Sequence, residues 1–204
     1  MLRCLSQVGV ECIGDLGVSE EREILSLATE ALSLMHTRYE LCITPLSFSD
    51  ALLTRYGIFG AYRREVYEIL RTAPRDLPEF LLSHGESPRT AEAVGSVLTS
   101  ARPMASGIFF LRERAIGEEE ARAVDALEEM TAGAQTEHLL LDFTRRPARN
   151  YYEGLFFTGR IGAKGCEVLR GGRYDTLARR SNDSDGALGF AVYLDSVLKN
   201  PSFS

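Results

Sequence analysis

The feature that most constrains the fold of this 204-residue chain is a glycine-dense stretch from Asn150 to Leu177. Its first part, Tyr151 to Thr158, is rich in aromatic and other strand-forming residues, and Arg160 to Gly165 contains the glycines of a loop. A second short strand is predicted over Cys166 to Leu169, followed by the pair Gly171-Gly172. The stretch therefore predicts a β-hairpin that runs into a helix.

The first strand of this hairpin suggests a ligand pocket. Because side chains alternate across a strand, Tyr152, Gly154 and Phe156 are expected on one face. A glycine beside a tyrosine lets a small ligand approach the backbone, while the phenol supplies a hydrogen bond and a flat apolar wall. Half-buried sheet tyrosines with ordinary turn glycines would produce the same pattern, so the stretch alone leaves both interpretations open.

A second strand with two unequal faces is predicted at residues 7–13. We expect its apolar face to pack on a core, and this face consists of Val8, Val10 and Cys12. The opposite face consists of Gln7, Gly9 and Glu11. It places an amide and a carboxylate around a glycine, which suits either a ligand or a solvent-facing surface.

The order of the remaining elements predicts the fold class. Periodicity favours helices at residues 19–36, 49–56, 117–132 and 174–180, and strands at 39–44, 139–143 and 187–193. Prolines divide residues 57–106 into short helices, whereas the state of 106–114 stays undecided. Strands separated by helices, followed by a hairpin, predict an α+β fold with a mostly antiparallel sheet flanked by helices. We assign 1–56 and 107–204 to one core and 57–106 to a helical insert.

Composition and residue spacing restrict the location and the chemistry. The chain is 45% hydrophobic, enough for a full core, and it has neither a run long enough for a membrane span nor the apolar segment of a secretory signal. The expected location is the cytoplasm, without a membrane partner. The four cysteines and three histidines are scattered, so we predict no metal site, no disulfide framework and no histidine-based catalytic centre.

The charge distribution is uneven along the chain. A net charge of −6 argues against nucleic acid as a partner. Residues 145–180, however, contain nine lysines and arginines against three acidic residues. This basic segment is typical of a solvated surface, and it also suits a local anionic partner.

Four segments together resemble a known family. These are QVGVECIG near the start, NYYEG and GGRYDTL in the glycine-dense stretch, and the closing ALGFAVYLD. They are similar, in order and approximate spacing, to the class II histidyl-tRNA synthetase catalytic core. They resemble more closely its non-catalytic relative, the regulatory subunit of ATP phosphoribosyltransferase. By comparison the chain begins inside the second signature motif of the family and is expected to be N-terminally truncated.

The resemblance implies a histidine-binding site and a class II synthetase-like fold. The implied histidine-binding residues are Gln7, Glu11, Tyr151, Tyr152, Gly172 and Tyr174. Glu11 would accept the imidazole N–H, while the hydroxyls and the amide would orient the other polar groups of the ligand. No catalytic residue, metal or cofactor is implied.

Two departures from the synthetase pattern favour a regulator over an enzyme. A count back from the tyrosines places Pro147 where synthetases carry an arginine, and Ser196 stands where they carry an ATP-binding arginine. Formation of an adenylate needs positively charged groups that stabilise the negative charge of the phosphates. We therefore expect a non-catalytic regulatory subunit that mediates histidine feedback. It would partner the short-form catalytic subunit in a hetero-oligomer whose full-length regulatory subunits are dimeric. The alternative is a divergent or truncated histidyl-tRNA synthetase core, with Arg145, Arg146 or Arg149 replacing the missing cation.

Overall fold

The computed structural model describes residues 6–147, 151–181 and 186–199. The strands within these ranges are β1 (Gln7–Ile13), β2 (Tyr39–Pro45), β3 (Ala101–Pro103), β4 (Leu139–Asp142), β5 (Leu155–Ile161), β6 (Cys166–Arg173) and β7 (Ala187–Tyr193). The helices are α1 (Val18–Met35), α2 (Leu46–Arg55), α3 (Gly60–Thr72), α4 (Leu77–Ser83), α5 (Pro88–Leu98), α6 (Met104–Arg112), α7 (Glu118–Thr131), α8 (Asp175–Ser181) and α9 (Leu194–Leu198). Short 3-10 turns occupy Pro74–Asp76 and Thr136–His138.

The seven described strands form one sheet in the order β1-β7-β6-β5-β2-β4-β3. All neighbouring pairs are antiparallel except β2 and β4, which run parallel. Parallel neighbours need a long crossover, and here helices α2 to α7 provide it. The prediction of an α+β fold with a mostly antiparallel sheet flanked by helices is therefore confirmed.

Helix α1 packs on one face of the sheet and leaves the other face of strands β1, β7 and β6 for a site. Its residues Ile24, Ala28 and Leu32 are buried. Leu32 lies so close to Gly159 of β5 that a Cβ atom there would come within 2.7 Å of the leucine Cδ2 atom. The glycine thus allows tight packing of helix on sheet.

The expectation that Val8, Val10 and Cys12 pack on a core is wrong for the two valines. Val8 is 58% and Val10 39% exposed, whereas Cys12 is half-buried against the core. The reason is position, because β1 is an edge strand and pairs only with β7 among the described residues. Alternation in a sequence identifies an apolar face but does not say whether another element covers it.

The hairpin differs from its predicted form at both arms. The first strand begins at Leu155 rather than at Tyr151, and Gly154 has a positive φ of 68° that turns the chain into the strand. The tyrosines therefore lie in the turn before the strand, and Gly154 supplies backbone freedom there, while a Cβ atom at this position would meet open space. The second strand is longer than predicted, since β6 continues through the glycine pair to Arg173.

The segment 57–106 contains helices α3, α4 and α5, as its proline spacing suggested, but it ends in a short strand, β3, that the sequence analysis did not predict. The undecided segment 106–114 falls largely in helix α6. The assignment of residues 57–106 to an insert separate from the core stays a prediction. None of the helices in the described part of the chain has the length and apolar character needed to cross a bilayer.

Candidate functional site

Three tyrosines from the turn before β5 and the end of β6 form one aromatic cluster. The ring of Tyr151 stacks on that of Tyr174, with centroids 5.1 Å apart and planes 24° from parallel. Tyr152 meets Tyr151 edge-on at 4.7 Å and contacts Phe156 of β5 at 5.1 Å. The structure thus brings together aromatic side chains that are more than 20 residues apart in the sequence.

Glu11 joins this cluster from the edge strand. The Tyr174 hydroxyl donates a hydrogen bond to Oε2 of Glu11 across the end of the sheet. Burial, followed by this bond to a carboxylate, raises the pKa of Tyr174 above its ordinary value. The pKa of Tyr152 is raised to about 12, chiefly by burial. Both phenols therefore stay protonated at neutral pH and act as hydrogen-bond donors.

Ion pairs and backbone bonds fix the position of Tyr174. The neighbouring Arg173 donates to Asp175 at 2.8 Å and to Glu21 of α1 at 3.1 Å. The Tyr174 backbone N–H donates to the carbonyl of Ala187 at 2.8 Å. These contacts tie the end of β6 to α1 and β7, so that the phenol is held in place before any ligand arrives.

Small residues form the floor between Glu11 and the tyrosines. Gly189 of β7 pairs with Glu11 on one side and with Gly172 of β6 on the other. A Cβ atom at Gly189 would lie 2.7 Å from Glu11 Cδ, and one at Gly172 would lie 2.6 Å from Tyr152 Cδ1. Both glycines are needed for these functional side chains to lie directly on the sheet. Gly172 therefore makes room for Tyr152 and for the neighbouring backbone of β5.

Gln7 shares the face of Glu11 but lies at the far end of β1. The two are four positions apart along the strand, which places their Cα atoms about 13 Å apart. Gln7 pairs with Tyr193 of β7, and its side chain is exposed. Of the six predicted site residues, the structure places five in one group and leaves Gln7 beside it.

Arg170 is a candidate site residue that the sequence analysis missed. It pairs with Ala191 of β7 and lies two residues from Gly172 along β6, on the same face of the sheet. Its guanidinium donates to Glu167 at 3.1 Å through Nε, and its side chain stays 39% exposed. Alternation counted back from Gly172 would have placed Arg170 on this face, which gives the site a cation.

The group is an open surface rather than a closed cavity, because Glu11 and Tyr151 are both exposed. A cavity of about 650 Å³ lies on the opposite face, between α1 and the end of α7, and none of the site residues lines it. Within residues 6–147, 151–181 and 186–199, no three His, Cys, Asp or Glu side chains are grouped to hold a metal ion.

The structure describes both positions that depart from the synthetase pattern, and only Pro147 lies close to the tyrosines of the site. Pro147 lies beside a cavity that Tyr152 also lines, whereas Ser196 is in α9, where its carbonyl accepts from the Cys166 thiol at 3.9 Å. Of the arginines considered as replacements, Arg145 pairs with Asp142 at 3.6 Å and Arg146 lines the same cavity. Arg149 lies outside the described residues.

Comparison with known proteins gives consistent matches along the chain. It is 29% identical over 210 residues to an ATP phosphoribosyltransferase regulatory subunit of Lactococcus lactis subsp. cremoris, covering 95% of this chain and 60% of the relative. It is 32% identical over 185 residues to the regulatory subunit of Deinococcus radiodurans, covering 85% of this chain and 43% of the relative. The chain thus spans about half the length of these curated relatives.

Solved structures share the fold. An ATP phosphoribosyltransferase regulatory subunit/histidyl-tRNA synthetase from Bacillus halodurans matches with a TM-score of 0.86 at 23% identity, over 96% of this chain and 53% of that one. A chain of the ATP phosphoribosyl transferase (HisG:HisZ) complex from Thermotoga maritima matches with a TM-score of 0.70 at 16% identity, over 92% and 65%. The family model described as histidyl-tRNA synthetase matches residues 1–197. The match covers nearly the whole chain, which therefore belongs to the histidyl-tRNA synthetase family.

Proposed function

We propose that this chain is the synthetase-like part of a regulatory subunit of ATP phosphoribosyltransferase, and that it binds histidine without catalysing a reaction. The curated relatives described above carry that regulatory name. Pro147 and Ser196 stand where synthetases carry arginines that act on phosphate charge, and this supports a non-catalytic role.

The observation that carries the proposal is the pairing of Glu11 with Tyr174 beside two more tyrosines on a glycine floor. Glu11 uses one carboxylate oxygen for the Tyr174 hydroxyl, so the other oxygen is available to an imidazole N–H. An imidazole ring is flat and fits against the tyrosine rings. A carboxylate acceptor next to aromatic surfaces therefore suits a histidine side chain.

Arg170 would bind the other end of the ligand. Glu11 lies on β1 and Arg170 on β6, with β7 between them. Their Cα atoms are two strand spacings and two residues of strand apart, about 12 Å, a gap that the two side chains and a histidine between them can span. We infer that the guanidinium of Arg170 pairs with the ligand carboxylate, in exchange for part of its present contact with Glu167.

The proposed partner is the short-form catalytic subunit of ATP phosphoribosyltransferase, in a hetero-oligomer. Histidine would control the first step of its own synthesis by binding one state of this assembly more tightly than another. The family likeness to a chain of the Thermotoga maritima complex supports this partner.

Isothermal titration calorimetry with histidine tests the proposal, on the chain alone and mixed with the catalytic subunit. We expect saturable heat with histidine, none with lysine, and a different dissociation constant in the mixture. By linkage, histidine must then change the affinity between the two proteins by the same factor. Absence of histidine binding in both samples would contradict the proposal.

The match to the histidyl-tRNA synthetase family model also fits a second function, that of a divergent histidyl-tRNA synthetase core. Arg146 lines the cavity next to Tyr152 and is a cation that this alternative could use. Histidine-dependent exchange of pyrophosphate into ATP discriminates the two functions. Robust exchange would establish the synthetase, whereas binding without exchange favours the regulator.

A further inference from the structure

Two nitrogen atoms of the Arg146 guanidinium are buried without hydrogen-bond partners. These atoms, Nε and Nη2, are shielded from solvent, and no acceptor among the described residues lies within bonding distance of either. The guanidinium carbon lies 3.5 Å from the centroid of the Tyr67 ring of α3. Burial lowers the pKa of Arg146 from its usual value. A charged group in this situation is costly, because its lost hydration is not replaced.

The guanidinium borders a cavity of about 530 Å³ between α2, α3 and the turn that carries Tyr152. This volume lies in the range of small-molecule sites and exceeds what a bare inorganic ion requires. Glu11 and Tyr174 do not line the cavity, so it is separate from the proposed histidine site, although Tyr152 contributes to both.

Arg146 interacts with the carboxylate of Asp50 by charge alone, and it shares this carboxylate with two other groups. The carboxylate of Asp50 accepts from the Tyr67 hydroxyl and lies 3.7 Å from Arg63. The carboxylate of Glu68 pairs with Arg71.

Two further charged residues line the cavity, and both are exposed. They are Arg64 and Glu153. Four arginines therefore face three carboxylates, and two of these carboxylates already have cationic partners.

We propose that this cavity binds a small organic phosphate, and that Arg146 is its main contact. The Nε and Nη2 atoms form one edge of the guanidinium, which matches two oxygens of a phosphate group. Since this edge is now shielded, the side chain must turn from Tyr67 toward the cavity on binding. The lack of hydrogen-bond partners for these two atoms favours that movement, and Arg63, Arg64 and Arg71 add positive charge along the cavity.

A ligand-binding role and a purely structural role for Arg146 predict opposite effects of its replacement on stability. Arg146→Met keeps a long side chain on the Tyr67 ring and removes the buried charge. If the guanidinium serves a ligand, the unliganded variant should melt at the same temperature as the wild type or higher. If it serves the fold, the variant should melt at a lower temperature.

Pyrophosphate is the probe for the test, with acetate at matched ionic strength as the comparison. We expect pyrophosphate to raise the melting temperature of the wild-type chain, and calorimetry to show at least tenfold weaker binding to Arg146→Met. Arg89→Met makes the same substitution at an exposed position of α5 and should bind as the wild type does.

Three results would overturn the proposal: no stabilisation of the wild type by pyrophosphate, equal stabilisation by acetate, or equal pyrophosphate affinity in Arg146→Met. A loss of both melting temperature and binding in this variant would assign Arg146 to the fold instead. Glu11→Gln should keep its pyrophosphate affinity, so a chain that binds pyrophosphate but not histidine would refute the proposed function and leave this inference intact.

Discussion

Glu11→Gln is the sharpest test of the proposed histidine site, because it removes one charge and keeps the size of the side chain. In the wild type, one carboxylate oxygen accepts from Tyr174 and the other is available to the ligand. The amide keeps one neutral acceptor oxygen for the hydroxyl and presents an NH₂ donor to the ligand in place of the second carboxylate oxygen. One charge-assisted hydrogen bond is lost, which costs about 1.5 to 3 kcal/mol of binding free energy, or about ten- to hundredfold in affinity.

The same substitution should barely alter the fold. Glu11 is exposed on an edge strand, and a glutamine pairs in β1 as well as a glutamate does. We expect the free energy of unfolding to change by no more than about 0.5 kcal/mol. Loss of histidine affinity with unchanged stability therefore separates a binding role from a structural one.

Calorimetry with histidine and urea denaturation provide the two measurements. Glu92→Gln is the matched control, since it makes the same chemical change on an exposed residue of α5. Histidine affinity should match the wild type in this control and fall in Glu11→Gln. Equal affinity in both variants would remove Glu11 from the site and refute the reasoning from its hydrogen bond to Tyr174.

Three further predictions concern the floor, the phenols and the cation of the site. Gly189→Ala would place a Cβ atom 2.7 Å from Glu11 Cδ. Calorimetry should therefore show weaker histidine binding, and denaturation a loss of about 1 to 3 kcal/mol of stability. Gly117→Ala is the control, because a Cβ atom there meets open space, and it should cost less than about 1 kcal/mol. The raised pKa of Tyr152 means that the folded state holds this proton more tightly than the unfolded chain. The contribution of Tyr152 to stability is therefore complete below about pH 10 and lost as the pH rises toward about 12. Denaturation at a series of pH values should show that Tyr152→Phe loses less stability at alkaline pH than the wild type does. An equal loss in both proteins would contradict a raised pKa for Tyr152. Arg170→Met should weaken calorimetric binding of histidine about tenfold and leave that of histamine, which lacks a carboxylate, unchanged; a parallel loss of both would argue against the pairing of Arg170 with the carboxylate.

Local patterns in the sequence predicted most helices and strands, but they did not predict which faces of these elements are buried by neighbouring elements. Strand alternation identified β1 to the residue and placed Gln7 and Glu11 on one side. It could not predict that Val8 would be exposed, since burial depends on which neighbours the strand has in the sheet. It also extended β5 backward to Tyr151, because the positive φ of Gly154 leaves no trace in the alternation of residue types.

The site required information beyond periodicity. Glu11 and Tyr174 are 163 residues apart in the chain, and only the family resemblance joined them before the structure did. Counting alternate residues along β6 is enough to place Arg170 on the face of Gly172. The sequence analysis assigns this arginine only to the basic segment 145–180. The buried position of the Arg146 guanidinium depends on where Tyr67 of the helical segment lies, and no local pattern encodes that contact.

If Glu11 binds a ligand as proposed, the edge position of β1 links that binding to local unfolding. Among the described residues β1 pairs in the sheet only with β7, so its amide hydrogens should exchange with solvent through fraying that leaves the rest of the sheet intact. Each such opening carries Glu11 away from Tyr174 and dismantles the site without unfolding the protein. A ligand held by Glu11 stabilises only the closed form, and its binding energy therefore appears as slower hydrogen exchange along this one strand.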